Sequence, residues 1–202
     1  GDPVSGVWLS FTMTPFFYWS FDDTDTRKTE LIIQDSTSYQ GTQKGQRFTT
    51  KYFAPEVQGG SAYDSPVNWV VFRYADVLLM KAEIENEINN GPTPEAYEAI
   101  NQVRERANAS LLPTDLGYEE FLNAVFDERA KEFFFEGHRF FDLKRRGFDF
   151  LEERVESTRF KLFDYLDIDH VEYDIKEYMM LMPIPQTDLD ANPELKQNPG
   201  YE

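Results

Sequence analysis

The segment Phe126–Gly147, FDERAKEFFFEGHRFFDLKRRG, constrains this chain more than any other. Within twenty-two residues it holds six phenylalanines and twelve ionisable side chains. Rings and charges recur at helical spacing, so no helix through it can turn every ring inward and every charge outward. Some charges go inside with the rings, and a buried charge persists only when it is paired and hydrogen-bonded. The segment therefore predicts helices locked to one another by internal ion pairs.

Glu128, Glu132 and Glu136 stand four residues apart and share one helix face. Such a row admits two readings. In one it does chemistry, as an acid/base pair at Glu132 and Glu136 for glycosidic cleavage or as part of a carboxylate metal site. In the other, Arg129, Lys131 and Arg139 neutralise it, and Glu-to-Arg bridges pin two successive helices together. The glutamate-x-x-histidine pattern of a di-metal bundle is missing, which favours the second. Glu128, Arg129, Glu132, Glu136, Arg139 and Asp142 are then scaffold.

Other catalytic apparatus is hard to find. There is no cysteine, which removes thiolate nucleophiles, thiolate metal sites and disulfides. His138 and His170 are the only imidazoles, neither in a dense ligand motif, and His138 reads as a helix-start residue. Neither a G-x-S-x-G elbow nor a glycine-rich phosphate loop occurs. The acidic clusters Asp22, Asp23, Asp25 and Asp164, Asp167, Asp169 offer oxygen ligands but lack EF-hand spacing, so they read as solvated turns. No cofactor or resident metal is expected. With 37 acidic and 20 basic residues the formal charge is −17, a field that repels phosphate backbones and argues against nucleic acid.

Helices dominate from Asn68 onward. In Asn68–Asn89, Val77, Met80, Ile84 and Ile88 form one stripe and Ala75, Leu78, Leu79 and Ala82 another, which predicts a helix sandwiched between layers. Trp69, at its start, reads as core. Thr93 and Pro94 open a second helix carrying Ala96, Ile100, Val103 and Ala107, giving an antiparallel hairpin. A third helix is expected over about 117–136, and a short fourth over 138–146. Residues 148–178 read as partly extended, and the tail from Tyr178 as an apolar strand followed by proline-ruled turns. Residues 1–65 differ in kind: a loop-rich segment in which Thr29–Ile33 and Arg47–Phe53 are short strands flanking a long loop. The division is thus 1–65 and 66–202. Only one helix hairpin of repeat size is visible, so an internal repeat is not demonstrated.

The best binding candidates lie in that first segment. The run Phe16-Phe17-Tyr18-Trp19, with Trp8 and Phe21 near, supplies flat rings on which the C–H face of a sugar can stack. Tyr18, Trp19 and Trp8 are taken as ligand-binding residues, although buried rings would serve equally as local core.

Several motifs, in order, resemble the C-terminal region of the SusD/RagB family of outer-membrane nutrient-binding lipoproteins. They are Asp25-Thr26-Arg27; Lys51-Tyr52; FRYADVLLMKA at 72–82 with Asn86-Glu87; INQVRERA at 100–107; and Glu128–Gly147, close to E-R-x-x-E-x-x-x-E-G-x-R-x-x-D-L-x-R-x-G. The ending MPIP…NPELKQNPGY completes the series. Asp76 stands where the family more often has glutamate, and Phe133–Phe135 where a leucine-containing stretch is common.

The resemblance implies a mainly α SusD-like fold, helical with irregular loops and a small β-hairpin, forming the C-terminal part of a larger α-helical repeat-type fold. It implies a non-enzymatic protein on the outward face of the outer membrane of Bacteroidetes-type bacteria. Such a protein captures glycan or another nutrient for a SusC-like TonB-dependent transporter. Family members are lipid-anchored and more than twice this length, so the signal peptide and N-terminal anchor are expected outside this chain. The alternatives are a glycoside hydrolase using Glu132 and Glu136, or a module that only docks onto the transporter.

Overall fold

The computed structural model describes residues 13–34, 47–52, 68–157 and 173–201. The architecture over these is mainly helical, with eight α-helices and one two-stranded sheet among the described residues. Its centre is three helices, α3 (Tyr74–Asn89), α4 (Pro94–Arg106) and α5 (Tyr118–Glu132). The first two make the expected antiparallel hairpin. Asn90 adopts the left-handed conformation (φ 49°) that closes α3, and the Thr93 hydroxyl accepts the amide of Ala96 to open α4, with Pro94 in the first turn. Ala96, Ile100, Val103 and Ala107 are all buried. Ala96, Ile100 and Val103 join Leu79, Ala82, Phe121, Val125 and Phe133 in one apolar core, closed by Tyr97 and Phe121 edge to face at 4.9 Å.

The sandwich expected for α3 is only half made. Leu79, Ala82, Asp76 and Asn86 are buried against α4 and α5, whereas Val77, Met80, Ile84 and Ile88 face outward. Residues 68–73 precede the helix as extended chain, and Trp69 is exposed rather than core. Periodicity identified the stripe of Val77, Met80, Ile84 and Ile88, but among the described residues nothing covers it.

After α5 the chain turns sharply. Phe135 (φ 61°) and Gly137 (φ 86°) both take left-handed backbone conformations, and the Tyr52 hydroxyl donates to the Phe135 carbonyl at 3.1 Å. That conformation is costly for a bulky residue, so the surroundings must impose it. His138 then leads into α6 (Arg139–Arg145) as expected. Residues 148–156, read as part of an extended region, instead form a helix, α7 (Phe148–Glu156). Arg154 fixes it to α5 by donating to Asp127 at 3.0 Å and to Asn123 at 3.2 Å, and Phe150 meets Phe126 edge-on. Its apolar positions were too few to declare a period. Residues 158–172, with Asp164, Asp167, Asp169 and His170, lie outside the described residues.

Around this body sit two short helices, α1 (Pro15–Trp19) and α2 (Thr26–Glu30), and strands β1 (Ile32–Gln34) and β2 (Arg47–Thr49). The strands pair antiparallel, Ile33 opposite Phe48. Thr29 and Glu30, expected in the strand, belong to α2 because Asp25 caps the amide of Arg27 and starts a helical turn. The long loop between the strands lies outside the described residues. Met13, Phe21, Ile32 and Phe134 form a second small apolar cluster joining this region to the turn that follows α5. The tail is not a strand: Glu177–Met180 make a 3-10 turn, 181–185 run extended, and α8 (Gln186–Ala191) starts after Pro185. Gly200 (φ 88°) is required there, because a Cβ would fall 2.4 Å from the Tyr178 ring.

Candidate functional site

The glutamate row is a hub of ion pairs. Glu128 is fully buried and accepts from Arg27 at 2.7 Å and Arg104 at 2.6 Å. Glu132, also buried, accepts from Arg27 at 3.0 Å, Arg73 at 2.6 Å and Arg106 at 2.5 Å. Glu136, just beyond α5, accepts two bonds from Arg73, both at 2.9 Å, and one from Lys51 at 2.7 Å. Arg27 is braced in turn by both oxygens of Asp25.

The expected pairing partners are therefore wrong in identity. Arg129 goes to Asp76 at 2.7 Å and Asp142 at 2.9 Å, and in this way pins α5 to α3 and α6. Lys131 has its ammonium 5.8 Å from the Phe21 ring, and Arg139 donates to the Phe126 carbonyl at 3.2 Å. The arginines that neutralise the row come from α2, α4 and the strand-like approach to α3. Their only sequence signal was membership of the same series of family-like motifs.

The electrostatics follow the geometry. Burial works against the charge of Glu136, yet the hydrogen bonds from Arg73 and Lys51 outweigh it and hold the carboxyl below its ordinary range. Burial likewise opposes the charge of Arg27, and the bonds to Asp25 together with Glu128 hold it above the usual arginine value. A general acid for glycosidic cleavage needs the opposite, a carboxyl raised towards neutrality.

The first acidic cluster is divided among separate partners. Asp25 caps α2, Asp23 pairs with Lys28 at 2.7 Å, and Asp22 accepts the Ser110 amide at 2.8 Å. Among the described residues no group of three His, Asp or Glu side chains is placed to hold a metal ion.

The α1 helix carries the aromatic candidates. Thr14 caps it by accepting the Phe17 amide, and Pro15 occupies the first turn. Phe17 packs edge-on against Phe21 and Phe134, anchoring the helix to the second apolar cluster. On the opposite arc Tyr18 and Trp19 meet edge to face at 5.0 Å. Tyr18 is half-buried beneath Arg47, whose guanidinium lies 4.5 Å from its centroid. Trp19 is 63% exposed, with the Lys28 ammonium 5.0 Å away. Trp8 lies outside the described residues.

The other side of α1 borders a cavity of about 540 Å³, lined by Phe16, Phe17, Phe134, Phe135, Lys131 and Arg139 among others. That is the size range of small-molecule sites. Tyr18 and Trp19 do not line it. The helix thus offers two distinct surfaces, an exposed ring pair and a cavity wall.

The SusD family model matches residues 18–201. The SusD-like protein P25 of Formosa agariphila is 33% identical over 208 residues, covering 100% of this chain and 37% of that protein. Among solved structures, a SusD homolog from Bacteroides thetaiotaomicron is 30% identical with a TM-score of 0.68, covering 91% of this chain and 42% of the other. The surface glycan-binding protein A of Bacteroides uniformis is 25% identical with a TM-score of 0.69, covering 93% and 40%. The chain therefore spans about two fifths of the length of these relatives.

Proposed function

This chain belongs to the SusD family, and from that premise we propose that it takes part in non-catalytic capture of glycan, or a glycan-derived nutrient, at the cell surface. The observation that carries the reading is the exposed indole of Trp19. A large ring held in water at the end of a rigidly anchored helix loses apolar contact unless a ligand covers it, and a sugar presents a matching C–H face. Lys28 and Arg47, both buried, back the ring pair by cation–π contact and hold it in place. Tyr18 and Trp8 are proposed as further ligand-binding rings.

The glutamate row supports a binding role over a hydrolytic one. Glu132 and Glu136 have every carboxylate oxygen engaged by arginine or lysine, which leaves neither a proton to give nor a free base. In keeping with the family, the captured sugar passes to a SusC-like TonB-dependent transporter. The protein is held on the outward face of the outer membrane by a lipid anchor elsewhere in its full length. Among the described residues no helix is long and apolar enough to cross a membrane.

A glycan-array screen of the full-length protein, followed by titration of the best oligosaccharide, tests the proposal. Trp19→Ala should weaken binding about tenfold or more at unchanged melting temperature. Undiminished binding would move the site away from α1. Turnover of a chromogenic glycoside that Glu136→Gln abolishes would replace capture with hydrolysis.

A further inference from the structure

Trp69, read from the sequence as core, is instead 59% exposed and lies parallel to Tyr52, with ring centroids 5.0 Å apart and planes 9° from parallel. Tyr52 is fixed from behind by its hydroxyl bond to Phe135. Gly137 lies beside the indole, where a Cβ would sit 3.9 Å from Trp69 Cζ2. Among the described residues the stacked pair is flat, held at the Tyr52 hydroxyl and exposed at Trp69.

Tyr52, and Val70 next to Trp69, line a cavity of about 200 Å³ whose walls also include Arg27, Lys51, Arg73, Arg106, Glu132 and Glu136. Among the described residues Arg106 uses one terminal nitrogen on Glu132, and its side chain is 59% exposed. The remaining guanidinium hydrogens point to groups outside the protein or to water. Glu132 Oε2 and Glu136 Oε1 each accept two bonds from the protein, whereas Glu132 Oε1 and Glu136 Oε2 accept one each and keep a second lone-pair site in the same small space.

We propose that Tyr52, Trp69 and Arg106 form a second saccharide-binding subsite, separate from the Trp19 surface. A stacked aromatic platform meets the C–H face of a sugar ring, and an adjoining wall of fixed donors and acceptors meets its hydroxyls. A purely apolar ligand would strip water from the exposed guanidinium of Arg106 without replacing it, which is costly. The link to the first surface is short. Arg47, over the Tyr18 ring, and Tyr52 are five residues apart, a stretch that reaches at most roughly 18 Å. A single oligosaccharide long enough to span that interval would engage both. The subsite rests on the glycan-capture reading but uses residues that reading does not assign.

The test is titration of the full-length protein with maltoheptaose, xylohexaose and laminarihexaose, following the tryptophan indole N–H signals by NMR and affinity by calorimetry. For a sugar that binds, the Trp69 signal should shift. Trp69→Ala should weaken affinity about tenfold and Arg106→Gln by a smaller factor, both at unchanged melting temperature, and Trp69→Phe should restore most of the loss. Loss in Trp19→Ala with no change in Trp69→Ala and no Trp69 shift overturns the subsite and leaves glycan capture standing. Loss in Trp69→Ala alone upholds the subsite and removes α1 from the contact. A Trp69 shift on addition of sodium sulfate, with none of the sugars binding, overturns both in favour of an anion site.

Discussion

Phe121, Val125, Glu128 and Glu132 follow one another along a single stripe of α5, at spacings of four, three and four residues, and all four are buried. The first two join Leu79 and Ile100 in a dry apolar core. The last two enter a hub of arginines brought from far along the chain, Arg27 being 101 residues from Glu128 and Arg73 being 59 from Glu132. The apolar half asks little of its neighbours beyond shape and volume, because dispersion and the hydrophobic effect are not directional. The charged half requires donors of one sign, at hydrogen-bond distance, from particular elements. One stripe therefore teaches that burial alone does not say how a position is held. The charged half ties α2, α4 and the segment before α3 to α5 in a way the apolar half does not.

Substitutions can break this contrast. The largest effect is expected from Glu128→Ala, which takes one buried carboxylate partner from both Arg27 and Arg104 and should cost about 3–5 kcal/mol in chemical denaturation. A cost no greater than that of a surface change would mean that the hub is not specific. Next comes acid sensitivity. Glu136 is held below its ordinary value of 4.5, so its contribution is fully present above that pH and is lost as pH falls through the lower folded value. Glu136→Gln should therefore flatten the acid limb of a stability–pH curve, and an unchanged limb would move acid sensitivity to other carboxylates.

In the apolar half, Leu79→Met conserves volume and should cost less than about 1.5 kcal/mol by the same measurement, despite complete burial of the site. A loss rivalling that of Glu128→Ala would erase the distinction between the two halves. The smallest effect belongs to Arg106→Ala. This guanidinium is mostly solvated, and Glu132 keeps Arg27 and Arg73, so the loss should be about 1 kcal/mol or less. A larger loss would extend the specific hub to the surface.

Much of this was legible in the chain itself. Thr93-Pro94 and the stripe Ala96, Ile100, Val103, Ala107 specified α4 and its buried face, because caps and periodicity act within a few residues. The motif series from Asp25 to Tyr201 pointed to the family that the comparisons establish. The crowding of rings and charges in Phe126–Gly147 demanded internal ion pairs, and they are there. Other readings failed where the deciding contact was distant. Arg129, Lys131 and Arg139 were the nearest cations to the glutamates in sequence, yet α5 points them elsewhere. Trp69 has apolar neighbours in sequence, yet it stacks outward on Tyr52. Tyr18 and Trp19 were recognisable as rings, but not which of them Arg47 would cover. Residues 148–156 showed too short a pattern to declare the helix that Arg154 secures.

The chain by itself determined its helices, their caps, its buried apolar stripes and the need to pair its inner charges. These depend on spacing along the backbone and on the desolvation of single groups. Tertiary structure alone decided which cation meets which carboxylate, which face of α3 stays bare, and that Tyr52 and Trp69 lie together over a polar cavity. A pairing across tens of residues is set by how several elements pack at once, and no local window of sequence contains that sum.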